Sequence, residues 1–259
     1  MKRFMTAPES WPEGAASVTL DPAESHHAAA VLRVRDGETV SLLDGAGRVG
    51  FGTVEIVSKK EAAIHLVETR RASRPAGHLA LAVAVPKGQA MDWIIEKAVE
   101  LGVDAIFPLL TQRTIVRLEA EERAERQRKW QRIAQETCKQ CGQPWLPKVH
   151  TPQPLAEALS ALMATRPDLP LIASLEPGSV PLPRHLAAAL GAAKTENANN
   201  ILNILMLIGP EGDFTSKEYN VARQAGCQPV SLGPLVLRVE TAALLSMSLL
   251  SAALGRLES

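Results

Sequence analysis

The sequence has few aromatic residues, few cysteines and no excess of either charge. Aromatic residues make up 3% of the 259 residues, so a sheet surface that stacks several RNA bases is not expected. Three cysteines are too few for a disulfide framework and agree with a reducing compartment. Lysine plus arginine and aspartate plus glutamate both number 28. This balance does not indicate a nucleic-acid binder, although local basic patches remain available for one.

Long apolar segments are missing as well. The N-terminal MKRFMTAPESW has a basic start but no apolar core, so no signal peptide is expected. The most apolar stretch, TAALLSMSLLSAALG at 241–255, is too short and too rich in serine to cross a bilayer. We therefore expect a cytoplasmic protein with no membrane partner.

Hydrophobic periodicity divides the chain into two predicted domains, residues 1–73 and 74–259. In the first domain, Asp21 and Pro22 predict the start of a short helix, with Asp21 as its N-cap. The β-rich segments that follow are separated by turn residues and predict a small β-barrel. These segments lie at 38–45, 48–57 and 62–69.

The second domain alternates apolar strands with helices. LALAVAV at 79–85 is a continuous apolar run, as expected for a strand that is covered on both faces. A predicted helix at 89–101 follows, and a long charged helix covers about 119–141. Because strands that alternate with helices form parallel sheets with helices on both faces, the predicted fold class is α/β.

Two short motifs match known sites but stand in the wrong context. GAGRVG at 45–50 matches a dinucleotide-binding pattern, yet a strand follows it instead of a helix, so we expect a hairpin. Cys138 and Cys141 have the spacing of a zinc or redox pair, but no second ligand pair lies near, and they fall in the last turn of a helix. We expect them to pack as buried small apolar residues or to lie beside a ligand, and we predict no metal site.

The loop LIGPEGDF at 207–214 carries the first site prediction. It follows an apolar strand and precedes a helix whose start is marked by a capping box, Thr215 and Glu218. A phosphate is excluded because no G-K-[ST] follows, Pro210 has no N–H, and two carboxylates would repel the ligand. The loop suits a neutral or cationic ligand such as adenine, ribose or a sulfonium, and a plain strand-to-helix turn explains it equally well.

The second site prediction lies at 231–250, SLGPLVLRVETAALLSMSLL. Arg238 and Glu240 flank a valine at the start of an almost wholly apolar helix. Such a helix needs burial on every side, which indicates knot-like threading or a subunit interface. Glu240 could simply stabilise the helix N-terminus, with Arg238 in a structural pair. We favour a functional role, because we expect both stretches to lie next to each other at the carboxyl ends of adjacent strands, where α/β sheets bind ligands.

Five blocks of sequence carry a family resemblance that covers nearly the whole chain. They are HHAAAVLRVRDGETVSLLDGAG (26–47), PKGQAMDWIIEKAVELGVDAIFPLLTQRTIVRL (86–118), KWQRIAQETCKQCGQPWLPKV (129–149), LIGPEGDFTSKE (207–218) and SLGPLVLRVETAA (231–243). The chain resembles the SPOUT methyltransferases, in particular the RsmE family of 16S ribosomal RNA uracil-N3 methyltransferases. This resemblance implies a PUA-like β-barrel followed by a parallel-sheet SPOUT domain with a deep trefoil knot. It also implies S-adenosylmethionine as cofactor, a homodimer, and one uridine of 16S ribosomal RNA in the 30S subunit as substrate.

The resemblance also assigns site residues. Cofactor binding is expected from loop residues after three strands, namely Leu175, Ile208, Gly209, Glu211, Gly212, Leu232, Gly233, Leu237 and Thr241. RNA contacts are expected from Arg33, Arg35, Arg113, Gln140 and Gln143. The N3 proton of uridine must leave, and the developing anion must be stabilised. Our hypothesis therefore makes Arg238 and Glu240 catalytic: Arg238 stabilises charge on O2 and O4, and Glu240 orients Arg238 or accepts the proton.

Four departures from the family pattern stand in these blocks. Asp213 replaces a usual glycine, Leu235 replaces an arginine, Val239 stands where threonine is often found, and Gln143 stands where arginine is frequent. A positive φ at Asp213 would mean that this aspartate takes over the glycine's backbone role. Two alternative functions are kept. One is a SPOUT methyltransferase for ribose 2′-OH or transfer RNA, and the other is a non-catalytic ribosome-assembly factor.

Overall fold

A computed structural model describes residues 1–114, 116, 118–196 and 202–257, with the backbone alone at 192–196. The chain forms two compact units. The first comprises residues 1–74 together with 135–146, and the second comprises 75–134 and the chain from Pro147 onward.

The first unit is built on a five-stranded sheet. Its strands are β1 (Lys2–Met5), β2 (Ser17–Thr19), β3 (Thr39–Leu43), β4 (Arg48–Ser58) and β5 (Glu61–Arg71), in the order β1-β3-β4-β5-β2. Strand β1 is parallel to β3, and the other neighbouring pairs are antiparallel. A 3-10 turn covers Pro8–Ser10, and helix α1 (Pro22–His26) continues into a π turn at His27–Val31. The buried side chains of the unit include Phe4, Trp11, Leu42 and Ile64.

Two local predictions in this unit are confirmed. Asp21 Oδ1 accepts hydrogen bonds from the backbone N–H groups of Ala23 and Glu24, both at 2.8 Å, and so caps α1. The GAGRVG segment forms the turn between β3 and β4, with positive φ at Gly45 and Gly47. A strand follows this turn, so the segment is a hairpin and not a dinucleotide loop.

The second unit contains an eight-stranded sheet whose paired strands are all parallel. The order is β11-β13-β10-β12-β6-β7-β8, and β9 also pairs with β7. The strands are β6 (His78–Ala84), β7 (Ala105–Leu110), β8 (Lys148–Val149), β9 (Gln153–Pro154), β10 (Leu169–Ala173), β11 (Val180–Pro181), β12 (Asn203–Ile208) and β13 (Gln228–Ser231). The helices are α2 (Ala90–Glu100), α3 (Ala120–Cys141), α4 (Leu155–Ala164), α5 (Leu182–Glu196), α6 (Ser216–Gln224) and α7 (Val239–Ala253).

Helices cover both faces of this sheet, which confirms the predicted α/β class. Ala80 and Ala82 of β6 belong to the core that includes residues of α4 and α6, whereas Leu81 lies against α2 and α7. Helix α7 packs on β6 and β12 in the middle of the sheet, although it follows β13, which lies nearer the edge. Of the helices in the described part of the chain, none combines the length and hydropathy that a membrane crossing needs.

Candidate active site

An open cleft lies at the carboxyl ends of three neighbouring strands, β13, β10 and β12. The two stretches singled out from the sequence follow β12 and β13, which β10 separates, so the expectation that these strands are adjacent is wrong. The space between the walls of the cleft, including the part that is open to solvent, is about 530 Å³. Its walls are the loops after these strands and the start of α7, with lining residues at 173–175, 208–211, 213, 232–233, 235–237, 239 and 242. The site therefore occupies the position where open parallel sheets bind ligands.

Most of the predicted cofactor-binding residues line this cleft. The seven that do so are Leu175, Ile208, Gly209, Glu211, Leu232, Gly233 and Leu237. Gly212 belongs to the same loop but is not a lining residue, and Thr241 is exposed on the first turn of α7. The assignment of all nine to cofactor binding stays a prediction.

The proposed catalytic pair lies at the start of α7. Arg238 is the exposed N-cap residue, and Glu240 is half-buried in the first turn. Val239 between them is buried and lines the cleft, but neither charged side chain is a lining residue. The structure thus places both charges beside the cleft wall, and their catalytic roles stay a hypothesis.

The 209–214 loop has a tightly constrained backbone. A Cβ atom at Gly209 would lie 3.1 Å from the Phe214 ring, so a larger residue would crowd the cleft wall. Asp213 has φ of 61°, a conformation that glycine, asparagine and aspartate adopt most readily. The positive φ means that Asp213 takes over the backbone role of the glycine that is usual at this position in the family.

The helix after this loop is fixed by the predicted capping box, which is confirmed. The Thr215 hydroxyl accepts from the Glu218 N–H, and the Glu218 carboxylate accepts from the Thr215 N–H at 2.8 Å. The other Glu218 oxygen accepts from the Gln112 N–H, also at 2.8 Å. The box therefore also joins α6 to the turn that follows β7.

Tyr219 supports the cleft, and the sequence did not indicate this role. Its hydroxyl donates to Asp213 Oδ1 at 2.8 Å and lies 3.2 Å from the Ala173 carbonyl oxygen. Burial, together with the charges of Asp213 and Glu176, raises the pKa of Tyr219, so the phenol stays protonated and remains a donor. The residue thus joins the end of β10 to the loop after β12.

The predicted RNA-binding residues have different surroundings. Arg33 and Arg35 are exposed in the first unit, and Arg33 has φ of 48°. Gln140 is also exposed, whereas the Gln143 amide oxygen accepts from the Trp145 N–H at 3.3 Å. In the second unit, Arg113 donates to the Gly212 carbonyl at 2.5 Å and so lies beside the cleft loop.

Two of the three cysteines, Cys138 and Cys227, are buried. Burial raises the pKa of Cys138 to about 12 and that of Cys227 to about 11, so both thiols stay protonated at neutral pH. The expectation that Cys141 packs as a small apolar residue is wrong, since this residue near the end of α3 is exposed. Within the described residues, no group of three or more histidine, cysteine, aspartate or glutamate side chains could hold a metal ion.

Comparison with known proteins defines the class to which this arrangement belongs. A family model described as the RNA methyltransferase domain matches residues 73–251, and one described as the RNA methyltransferase PUA domain matches residues 20–67. The cleft therefore lies within an RNA methyltransferase domain.

Individual relatives show to which family of RNA methyltransferases the chain belongs. Ribosomal RNA small subunit methyltransferase E of Synechocystis sp. is 31% identical, over 97% of this chain and 78% of the relative. The Bacillus subtilis protein of the same name is 26% identical over 92% and 91%. The solved structure of the Neisseria gonorrhoeae protein of that name, bound to S-adenosyl methionine, superposes with a TM-score of 0.79 at 30% identity and covers 99% and 98% of the two chains. The chain belongs to the ribosomal RNA small subunit methyltransferase E family.

Proposed function

We propose that this protein methylates N3 of one uridine in 16S ribosomal RNA, with S-adenosylmethionine as the methyl donor. The observation that carries the proposal is the cleft at the ends of β10, β12 and β13, in a chain that belongs to this family. The Neisseria gonorrhoeae relative has been solved with the same donor bound.

The residues of the cleft fit this cofactor. The apolar side chains Leu175, Ile208 and Leu237 suit an adenine ring, and Gly209 leaves room that a Cβ atom would fill. The Glu211 and Asp213 carboxylates suit a sulfonium cation, whereas a phosphate would be repelled. When bound, the cofactor supplies an electrophilic methyl group.

The charged residues beside the cleft provide the remaining chemistry. Arg238 stabilises the negative charge that develops on the uracil O2 and O4 atoms, and Glu240 orients Arg238 or accepts the N3 proton. The loops position donor and acceptor in line, which lowers the barrier without a covalent intermediate on the protein.

Methyl transfer from labelled cofactor tests the proposal. Purified protein is incubated with small subunits or with naked 16S ribosomal RNA, and digested nucleosides are identified by mass spectrometry. We expect N3-methyluridine from at least one of these substrates. A ribose-methylated product, or transfer to transfer RNA alone, would favour another SPOUT activity. No cofactor binding by calorimetry would favour an assembly factor without catalysis.

The Arg238→Ala variant tests the assigned role separately. We expect turnover to fall by at least about 100-fold, because a charge-stabilising donor is lost, while the Kd for the cofactor stays within about threefold. Arg238→Lys, which keeps the charge, is the matched control and should retain more activity than the alanine variant. Unchanged turnover in Arg238→Ala would refute the role.

The RNA and subunit partners complete the proposal. The exposed Arg33, Arg35 and Gln140 in the first unit are available for phosphate and base contacts. We expect a homodimer, because α7 leaves apolar side chains half-buried and Trp93, beside Leu244, is 39% exposed. We also expect a cytoplasmic location, with which the low cysteine content agrees. Light scattering should give twice the 27.8 kDa mass of one chain, and the mass of one chain would contradict the dimer.

A further inference from the structure

Asp213 holds a carboxylate at a fixed place in the wall of the cleft. Its Oδ1 atom accepts hydrogen bonds from the Phe214 N–H and from the Tyr219 hydroxyl, both at 2.8 Å. Phe214 and Tyr219 are both buried, so the carboxylate cannot turn away from the wall without breaking two hydrogen bonds to fixed groups. Among the described residues, none donates a hydrogen bond to its second oxygen, Oδ2.

The charges that line the cleft are all of one sign. Glu211 and Asp213 are lining residues, and none of the described residues that line the cleft is lysine, arginine or histidine. Of the nearby cations, Arg113 donates to the Gly212 carbonyl and Arg223 pairs with Glu176, while Arg238 is exposed at the start of α7 and does not line the cleft. A cation in the cleft is therefore stabilised by a field that no lining cation offsets.

Methyl transfer changes the charge of the molecule in the cleft. The bond between sulfur and the methyl carbon breaks, its electron pair stays on sulfur, and the methyl carbon bonds to uracil N3. The proton of N3 passes to Glu240 or to water. The sulfonium cation thereby becomes a neutral thioether. Donor and product, S-adenosylhomocysteine, are otherwise alike, so a negative charge in the wall favours the donor over the product.

We propose that Asp213 is a specificity-determining residue whose carboxylate makes the cleft discriminate between methyl donor and demethylated product by charge. This inference rests on the proposed cofactor. The residue weakens product binding relative to donor binding, and so favours exchange of product for fresh donor after each turnover. Its hydrogen bonds to Phe214 and Tyr219 keep the charge in place during that exchange.

Calorimetric titration with S-adenosylmethionine and S-adenosylhomocysteine tests the proposal without any RNA. The measured quantity is the ratio of the product Kd to the donor Kd. In Asp213→Asn, the side-chain oxygen can still accept from Phe214 and Tyr219, and the residue tolerates a positive φ, but the charge is lost. We expect the ratio to fall about three- to tenfold, with the product Kd nearly unchanged.

Two further variants separate charge from loop geometry. Asp213→Gly also removes the charge and accepts the positive φ, so its ratio should fall by the same factor. Glu157→Gln removes an exposed carboxylate of α4, outside the cleft lining, and should leave the ratio unchanged. Equal weakening of both ligands in Asp213→Asn, or an unchanged ratio, would overturn the inference. Failure of the wild-type protein to bind either ligand would instead contradict the proposed cofactor.

Discussion

At the scale of single residues, burial controls the protonation of His150. Its ring stacks on Phe107, with the ring centroids 3.9 Å apart and the planes inclined by 12°. Burial, with a smaller effect from the charge of Lys148, lowers the pKa of His150 from 6.5 to about 4. Between these two values the folded protein keeps the ring neutral, whereas the unfolded chain binds a proton.

This difference predicts a pH dependence of stability. The contribution of neutral His150 is fully present above pH 6.5 and is lost progressively as the pH falls towards 4. The variant His150→Phe keeps an aromatic stack and cannot titrate. We expect the wild-type free energy of unfolding to fall relative to the variant by up to about 1.4 kcal/mol per pH unit in this window. Urea unfolding of both proteins at pH 7.5 and 5 measures the effect, and a constant difference between them would contradict it.

Residue roles that arise from the local backbone could be predicted from the sequence. The Asp21 cap and the Thr215–Glu218 box depend on neighbours within three residues, and both are present. The role of Tyr219 could not be predicted, because it depends on the pairing of β10 with β12, which brings Ala173 and Asp213 together. No periodicity within α6 distinguishes this tyrosine from an ordinary core residue.

At the scale of elements, Glu218 links α6 to the turn that follows β7. One carboxylate oxygen belongs to the capping box and the other accepts from the Gln112 N–H. Thr215→Ala removes one half of the cap and should lower the free energy of unfolding by about 1 kcal/mol. Glu218→Ala should cost more, because the Gln112 and Thr215 N–H groups both lose their partner. Equal losses in the two variants, measured by urea unfolding, would show that the contact with Gln112 contributes nothing.

Helices were predictable where a glycine ends them or an apolar stripe runs along them. Gly102 and Gly142 follow α2 and α3 with positive φ, as expected for residues after a helix C-terminus. Helix α7 is less enclosed than its composition suggests, because Thr241 is exposed and Leu244, Leu245 and Leu249 are half-buried in the single chain. Composition alone cannot distinguish a helix covered by its own chain from one covered by a second subunit.

At the scale of the whole molecule, the first unit is not a continuous stretch of sequence. Residues 135–146 belong to it. Lys139 donates to the buried Glu24 carboxylate at 2.6 Å, and the Leu146 N–H donates to the Gly45 carbonyl at 2.9 Å. The Trp145 ring lies so close to Gly47 that a Cβ atom there would be 2.3 Å from it. A domain boundary drawn from periodicity at residue 73 could not include this segment, because each of these contacts joins residues about 100 positions apart.

A fragment of residues 1–74 is therefore expected to fold poorly alone. Without residues 135–146, Glu24 loses its Lys139 partner and keeps the hydrogen bond from the Met5 N–H, and the Trp145 ring no longer covers Gly47. These losses are a large part of the stability of a small domain. Adding a peptide of residues 132–147 should restore amide protection in β3 and β4, measured by hydrogen exchange. The same peptide with Lys139→Met should restore much less, because it supplies the packing of Trp145 without the charge partner. Full protection in the fragment alone would contradict the prediction and would show that β1 to β5 fold without the end of α3.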